Sequence, residues 1–217
     1  SREIENEEWT TRDRFRRENR IRHAASYHES WLNHFALVIV VILLESVANM
    51  YFFAQGNSLG FLGGFIQAIL LAFVNVGVAV FIGHFAVRAL HHRHIGFKVG
   101  ASFVLLGYLL FLFGFCLVVG HYRDILAVRP DDALSEALPS TFAAPFLISF
   151  DSLMLMITSF LAAALGILKG YTFDDRYPGY GKLERRYRDI RADYDKAKAD
   201  LRNQVRAIPE ALEAELQ

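Results

Sequence analysis

The stretch FALVIVVILLESVANMYFFA, which occupies residues 35–54, decides the fold of this chain. Glu45 is the one charged residue among its 20 residues. A helix needs about 20 largely apolar residues to cross the hydrocarbon of a bilayer. Because lipid offers no hydrogen-bond partner to an open backbone, such a segment must be helical. The stretch therefore predicts a transmembrane helix with a carboxyl group near its middle.

Three more stretches of this kind follow along the chain, at about residues 61–87, 99–120 and 143–168. None of them alternates apolar and polar residues as the strands of a membrane β-barrel do. The sequence therefore predicts an all-α integral membrane protein that is built on a four-helix bundle.

The predicted bundle divides the chain into three parts, which differ in charge. We expect a basic, amphipathic helix at the membrane interface over residues 1–33, the membrane domain over residues 34–169, and a cytoplasmic turn with a coiled-coil tail over residues 170–217. Of the 23 Lys and Arg residues, 21 lie before residue 34, after residue 168 or between the second and third spans. Since cytoplasmic loops are enriched in Lys and Arg, both termini are predicted to be cytoplasmic.

Composition excludes several classes of function. The formal net charge is zero, so no overall charge directs the chain to nucleic acid. Its one cysteine, Cys116, rules out an intrachain disulfide. No nucleotide-binding loop, zinc-protease motif or nucleophile elbow is present. We therefore expect a protein that is not an enzyme and has no cofactor.

The tail carries the spacing of a coiled coil. Apolar or uncharged residues recur alternately four and three positions apart, at Leu183, Tyr187, Ile190, Tyr194, Ala197, Leu201, Gln204 and Ile208, before Pro209. This a/d pattern is typical of helices that pair, and a polar residue in the seam, here Gln204, can set the register. We expect it to join a second copy of the chain or a partner helix. The alternative is an amphipathic helix that packs on its own chain.

Small residues form stripes in the third and fourth predicted spans. The members, seven positions apart within each helix, are Gly100, Gly107 and Gly114, and then Ser152, Ser159 and Gly166. Small side chains allow helices to approach closely in lipid, so these faces are predicted to be packing faces, toward each other or toward a neighbouring subunit.

A few polar residues within the spans form a candidate ion pathway. Its members are Glu45, Asn49, Asn75, Asp151 and Gln67. They lie on three helices, either at the middle of the membrane or between the middle and its outer face. An ionised carboxyl group at the bilayer centre is unfavourable by about 3 kcal/mol and commonly marks an ion or proton path. The alternative is a neutral, hydrogen-bonded carboxyl group that holds helices together.

Two histidines, His34 and His84, lie at similar depth near the inner ends of the first and second spans. Two histidines on neighbouring helices are the ligand set of a bis-histidine haem. A haem-binding electron carrier is therefore a third hypothesis, and the histidines otherwise add only pH-dependent positive charge at the interface.

The layout resembles calcium-release channels of the Orai type. The shared features are four spans, a basic N-terminal helix, an acidic residue in the first span and a cytoplasmic C-terminal coiled coil. The resemblance is one of architecture, and no residue is carried over from it. We expect a homo-oligomeric membrane protein that forms or supports a cation-conducting path. The alternative is an anchor or scaffold that assembles helices or domains at the inner membrane face.

Overall fold

The computed structural model describes residues 2–26 and 31–215, which contain seven α-helices and no strand. The helices are α1 (Arg2–Glu18), α2 (Trp31–Ala54), α3 (Gly60–Ile82), α4 (Ile95–Val128), α5 (Ala133–Ala143), α6 (Phe150–Thr172) and α7 (Tyr180–Glu215). A π-helical turn, Gly83–Val87, continues α3, and a 3-10 turn, Pro130–Asp132, precedes α5. The predicted all-α fold is confirmed.

Four of these helices are long and apolar enough to cross a membrane. They span Leu32–Ala54, Gly60–Val87, Ile95–Val128 and Phe150–Thr172. Two helices have other bounds than the predicted spans. The third helix continues beyond residue 120 to Val128. The fourth begins only at Phe150, because α5 ends at Ala143 and Pro145 follows. Ser149 then caps α6 by accepting a hydrogen bond from the Ser152 amide.

The membrane-length helices carry their apolar side chains on the outside. Leu44, Phe73 and Leu110 are each more than 60% exposed, whereas Glu45 and Asn75 are buried. A water-soluble protein rarely exposes so large an apolar surface, whereas lipid is a favourable neighbour for it. The distribution of side chains therefore agrees with the length and composition of the helices, and indicates an integral membrane protein.

Helices α3 and α6 cross at very short range because glycines face each other's backbone. A Cβ atom on Gly170 would collide with the carbonyl oxygen of Val80, and one on Gly83 would collide with that of Ile167. One on Gly166 would lie 2.9 Å from the Cβ atom of Ala79. In lipid, where the hydrophobic effect does not drive helices together, van der Waals packing at such short distances helps to hold them in contact.

Helices α1 and α7 form a compact unit of their own, distinct from the unit of α2–α6. Arg12 forms an ion pair with Glu184 at 3.2 Å and lies 4.2 Å above the centre of the Tyr187 ring. Glu8 pairs with Arg186 at 2.6 Å. The two helices are therefore antiparallel and share apolar and charged contacts.

The structure corrects two boundaries in this unit. The basic helix predicted over residues 1–33 ends at Glu18, and Arg20, two residues later, adopts a left-handed conformation with φ of 56°. Such a residue does not continue a right-handed helix. Pro209 does not end the tail helix, which runs on to Glu215. The side chain of Ile208, the last predicted seam residue, lies outside the described residues.

Candidate functional site

The polar groups at mid-membrane meet in one place, which we call the Glu45 cluster: Glu45, Ser46 and Asn49 of α2, Asn75 of α3, and Thr158 and Ser159 of α6. Asn75 donates from Nδ2 to Glu45 Oε1 at 2.9 Å and to the Ser159 carbonyl at 2.9 Å. Thr158 donates to Asn49 Oδ1 at 2.6 Å. The cluster thus ties three helices together through buried hydrogen bonds.

Helix periodicity places these residues on inner faces. Glu45 and Asn49 are four residues apart on α2, so they lie on one face of the helix, next to Ser46. The Ser46 hydroxyl donates back to the Ile42 carbonyl at 2.6 Å and needs no other partner. Glu45 is 5% exposed and Asn75 is 3% exposed. The cluster is therefore enclosed by the chain's own helices.

Helix α4 adds two ionisable side chains near this cluster. Tyr108 and Cys116 are buried and lie within electrostatic range of Glu45. The Tyr108 hydroxyl group has no hydrogen-bond partner among the described residues. All four membrane-length helices therefore contribute polar groups around Glu45.

Two of the predicted pathway residues lie elsewhere. Asp151 accepts a hydrogen bond from Arg123 at 2.5 Å, and its side chain is 41% exposed. Gln67 lines a separate apolar groove of about 350 Å³ with Tyr122 and Leu138. The structure thus brings together Glu45, Asn49 and Asn75, but not Asp151 or Gln67.

Arg123 forms a second polar site that sequence reasoning missed, the Arg123 network. Its guanidinium group is 5% exposed and donates to Asp151, Asp124, Ser149 and Gln55, and to the Phe52 carbonyl. It was placed in a link because α4 was expected to end near residue 120. A signal was available, since Leu112, Cys116, Arg123 and Leu126 lie on the buried face of one continuous helix.

The Arg123 network also fixes the turn between α2 and α3. Gly56 has φ of 80°, which favours glycine. A side chain at this position would collide with the Leu126 carbonyl oxygen of α4. Together with Gln55, this close contact holds the turn against α4. A buried guanidinium group with all five N–H groups bonded therefore joins α2, α4 and α6 at the end of the bundle where α2 ends and α6 begins.

The two small-residue stripes have different surroundings. Ser152 donates to the Gly120 carbonyl at 2.9 Å, Ser159 is buried, and Gly166 packs on α3, so the α6 stripe packs within the chain. By contrast, a Cβ atom added to Gly100, Gly107 or Gly114 of α4 would have no atom of another helix within 4 Å among the described residues. The α4 stripe therefore does not pack on α6.

His34 of α2 and His84 of the π-helical turn after α3 both lie beside the side chain of Phe173. The Phe173 ring centre is 4.6 Å from that of His34 and 5.3 Å from that of His84. Arg88 Nη1 lies 3.3 Å from His84 Nδ1, and Arg88 also pairs with Asp174 at 3.3 Å. A haem iron bound by both histidines would have to displace these neighbours. In the described part of the chain, no three His, Cys, Asp or Glu residues group as metal ligands.

The first half of the predicted seam in α7 is covered within the α1–α7 unit, and the second half is exposed. Tyr187 is buried and Leu183, Ile190 and Tyr194 are partly covered within the α1–α7 unit, whereas Ala197, Leu201 and Gln204 are exposed. Ile4 of α1 lines a groove together with Ile190 and Tyr194 of α7. The first half of the pattern is thus used inside the chain.

The chain matches no protein-family model, and no curated protein or solved structure is significantly similar to it. Fold and site therefore define a class only, that of all-helical integral membrane proteins with four membrane-length helices. Within that class, the distinguishing feature is a carboxyl group that is hydrogen-bonded at the centre of the bundle.

Proposed function

We propose that this chain is a non-enzymatic, homo-oligomeric membrane protein that forms or supports a cation-conducting path, for an ion or a proton, with Glu45 as its main determinant. The observation that supports it is the burial of Glu45 at mid-helix, where it accepts a hydrogen bond from Asn75 and no Lys or Arg pairs with it among the described residues. Acidic groups in this position commonly serve ion or proton movement.

The proposed path runs through the interior of one bundle. In a channel with the Orai-like layout, the acidic residue would face an axis shared by several subunits. Here the Glu45 side chain turns to Asn75 and is enclosed by α2, α3 and α6 of its own chain. The Arg123 network covers one end of this interior, so conduction requires that network to open or water to pass it.

Substitution of Glu45 tests the proposal. In liposomes with an imposed ion or proton gradient, Glu45→Gln should fold normally and abolish flux, because the amide keeps the shape of the side chain but cannot ionise. Glu45→Asp should retain part of the flux. The matched control is Glu136→Gln, which removes an exposed carboxyl group on α5 and should leave flux unchanged. Equal flux in wild type and Glu45→Gln would remove Glu45 from the mechanism.

Orientation and assembly form a second part of the proposal. The excess of Lys and Arg supports a cytoplasmic location for both termini. We propose that the exposed part of the α7 seam pairs in parallel with the same part of a second copy. In that arrangement Asp193 of each copy comes opposite Lys198 of the other, which supports parallel pairing by opposite charge.

One cysteine pair tests both points in a Cys116→Ala background. Leu201→Cys lies in the seam and should form a cross-linked dimer when the purified protein is oxidised. Ala199→Cys, on the opposite face of α7, should not. An impermeant thiol reagent added to intact cells should label neither variant. Labelling of Ala199→Cys from outside would overturn the orientation, and equal cross-linking of both variants would overturn the seam.

The second candidate function is a membrane anchor or scaffold. It is favoured by the α1–α7 unit, whose ion pairs and long exposed helix are suited to holding a partner. Under this alternative, Glu45 is a neutral group that only joins helices. Wild-type liposomes without ion or proton flux, combined with intact cross-linking at Leu201→Cys, would favour it.

A further inference from the structure

The hydrogen bonds of Asn75 leave two buried oxygen atoms without a donor. Both hydrogens of the Asn75 amide are used, one by Glu45 Oε1 and one by the Ser159 carbonyl, each at 2.9 Å. Glu45 Oε2 and Asn75 Oδ1 are buried and have no hydrogen-bond partner among the described residues. Oε2 is the second carboxyl oxygen of Glu45, and Oδ1 is the one oxygen of the Asn75 side chain.

It is energetically unfavourable to bury these two acceptors without a hydrogen-bond donor. An unsatisfied buried polar group costs about 1–3 kcal/mol, and an isolated buried carboxylate costs considerably more. A single proton on Glu45 Oε2 removes both problems, because it neutralises the carboxylate and converts one acceptor into a donor. Asn75 Oδ1 is the other buried acceptor without a partner, and it belongs to the same amide whose nitrogen donates to Glu45 Oε1.

We propose that Glu45 carries a proton in the resting protein and donates it to Asn75 Oδ1, and that the ion handled at this site is therefore a proton. The acid and the amide then face each other through two opposed hydrogen bonds, N–H to Oε1 and O–H to Oδ1. The choice of the proton as the transported ion rests on the proposed conduction, whereas the protonated resting state does not.

A metal ion is a poorer fit to the same atoms. Asn49 Oδ1 accepts from Thr158, and the Ser159 carbonyl accepts from Asn75. The carboxyl and amide side chains of the cluster thus offer two open oxygens, whereas Ca²⁺ and Mg²⁺ take about six or more. One proton needs only the two that are present.

Proton movement through this pair is balanced without another reactant. The O–H bond of Glu45 breaks and the proton passes to water, which leaves a carboxylate that still accepts from Asn75 Nδ2. The bond forms again when a proton arrives from the other side. Among the described residues, Tyr108 and Cys116 of α4 interact electrostatically with the carboxyl group, and the Ser159 hydroxyl of α6 lies close enough to stabilise the carboxylate once it forms.

Infrared difference spectroscopy tests the protonated state without any flux. Wild-type protein in lipid at neutral pH, minus Glu45→Gln, should show the C=O band of a protonated carboxyl group, shifted when H₂O is replaced by D₂O. Asn75→Leu should move this band to higher frequency, because the carbonyl loses its donor. Wild type minus Glu136→Gln should show only the bands of an ionised carboxylate.

Each outcome separates this inference from the proposed function. Carboxylate bands in place of the protonated band in wild type minus Glu45→Gln would overturn the protonated state. The protonated band with no flux in liposomes would support the acid–amide pair and count against conduction alone. The protonated band with Na⁺ or K⁺ flux, and none of protons, would overturn the proton as the transported ion. Glu45→Gln should fold, because its amide can replace both hydrogen bonds to Asn75, and an unfolded variant would contradict that geometry.

Discussion

Arg123→Met is expected to lower the free energy of unfolding of the membrane unit by about 3 kcal/mol, the lower end of the effect of removing one partner of a buried ion pair, because the Asp151 side chain that remains is 41% exposed. The substitution leaves Asp151 and Asp124 without their cation. It also releases Gln55 and the Phe52 carbonyl, so the turn between α2 and α3 loses its main attachment to α4. Thermal or denaturant unfolding in detergent measures the effect.

The matched control for this prediction is Arg129→Met. Arg129 also forms ion pairs, with Asp132 and Glu136, but its side chain is 55% exposed. Exposed pairs contribute roughly 0–1 kcal/mol, because water screens the charges and the side chains lose freedom when they pair. If the two variants unfold at the same temperature, the Arg123 network does not stabilise the fold in the way its burial indicates.

Gly170→Ala is expected to destabilise the same unit by about 3 kcal/mol, at the upper end of what overpacking normally causes. The added methyl group would overlap the Val80 carbonyl oxygen and lie 2.9 Å from the His84 amide nitrogen. Both of these atoms belong to the backbone, so no side-chain rotation relieves the contact and α3 and α6 must separate. Protein yield and thermal unfolding in detergent report the change.

Gly107→Ala is the control, because no atom of another helix in the described chain lies within 4 Å of its added methyl group. Its unfolding free energy should rise by about 0.5–1 kcal/mol, because Ala favours the helical conformation over Gly and the methyl group meets no other helix. The same variant also reports on neighbouring subunits, since a change in oligomer mass would show that the α4 stripe packs on another copy. If Gly170→Ala is as stable as Gly107→Ala, the close crossing of α3 and α6 is not required.

Hydropathy located the membrane-length helices because apolar length is a local property of the chain. Residues 35–54 and 61–87 lie within the helices found, and Glu45 and Asn75 could be placed at similar depth by counting along their helices. The helix ends near Gly120 and Ala143 were not predicted by hydropathy. A helix can continue outside its apolar stretch, as α4 does through Arg123.

Periodicity shows which side of a helix a residue occupies, but not which helix lies opposite. Asp151 was assigned to the same cluster as Glu45 on depth alone, and its actual partner is Arg123. Likewise, glycines seven apart on α4 and small residues seven apart on α6 look equivalent in sequence, yet Gly166 is packed and Gly107 is open. In the tail, the heptad spacing did not distinguish the half that α1 covers from the half that is exposed.

The amino-acid sequence was enough to predict a helical chain, four helices that are long and apolar enough to cross a membrane, and a carboxyl group in the middle of the first. These features follow from the bilayer, which requires closed backbone hydrogen bonds over about 20 apolar residues wherever the segment lies in the fold. The contacts of Asn75 with Glu45, of Arg123 with Asp151 and of Gly170 with the Val80 backbone became visible only in the folded chain. They could not be predicted because the rotation of each helix about its axis, and the identity of its neighbours, depend on how all the helices pack together.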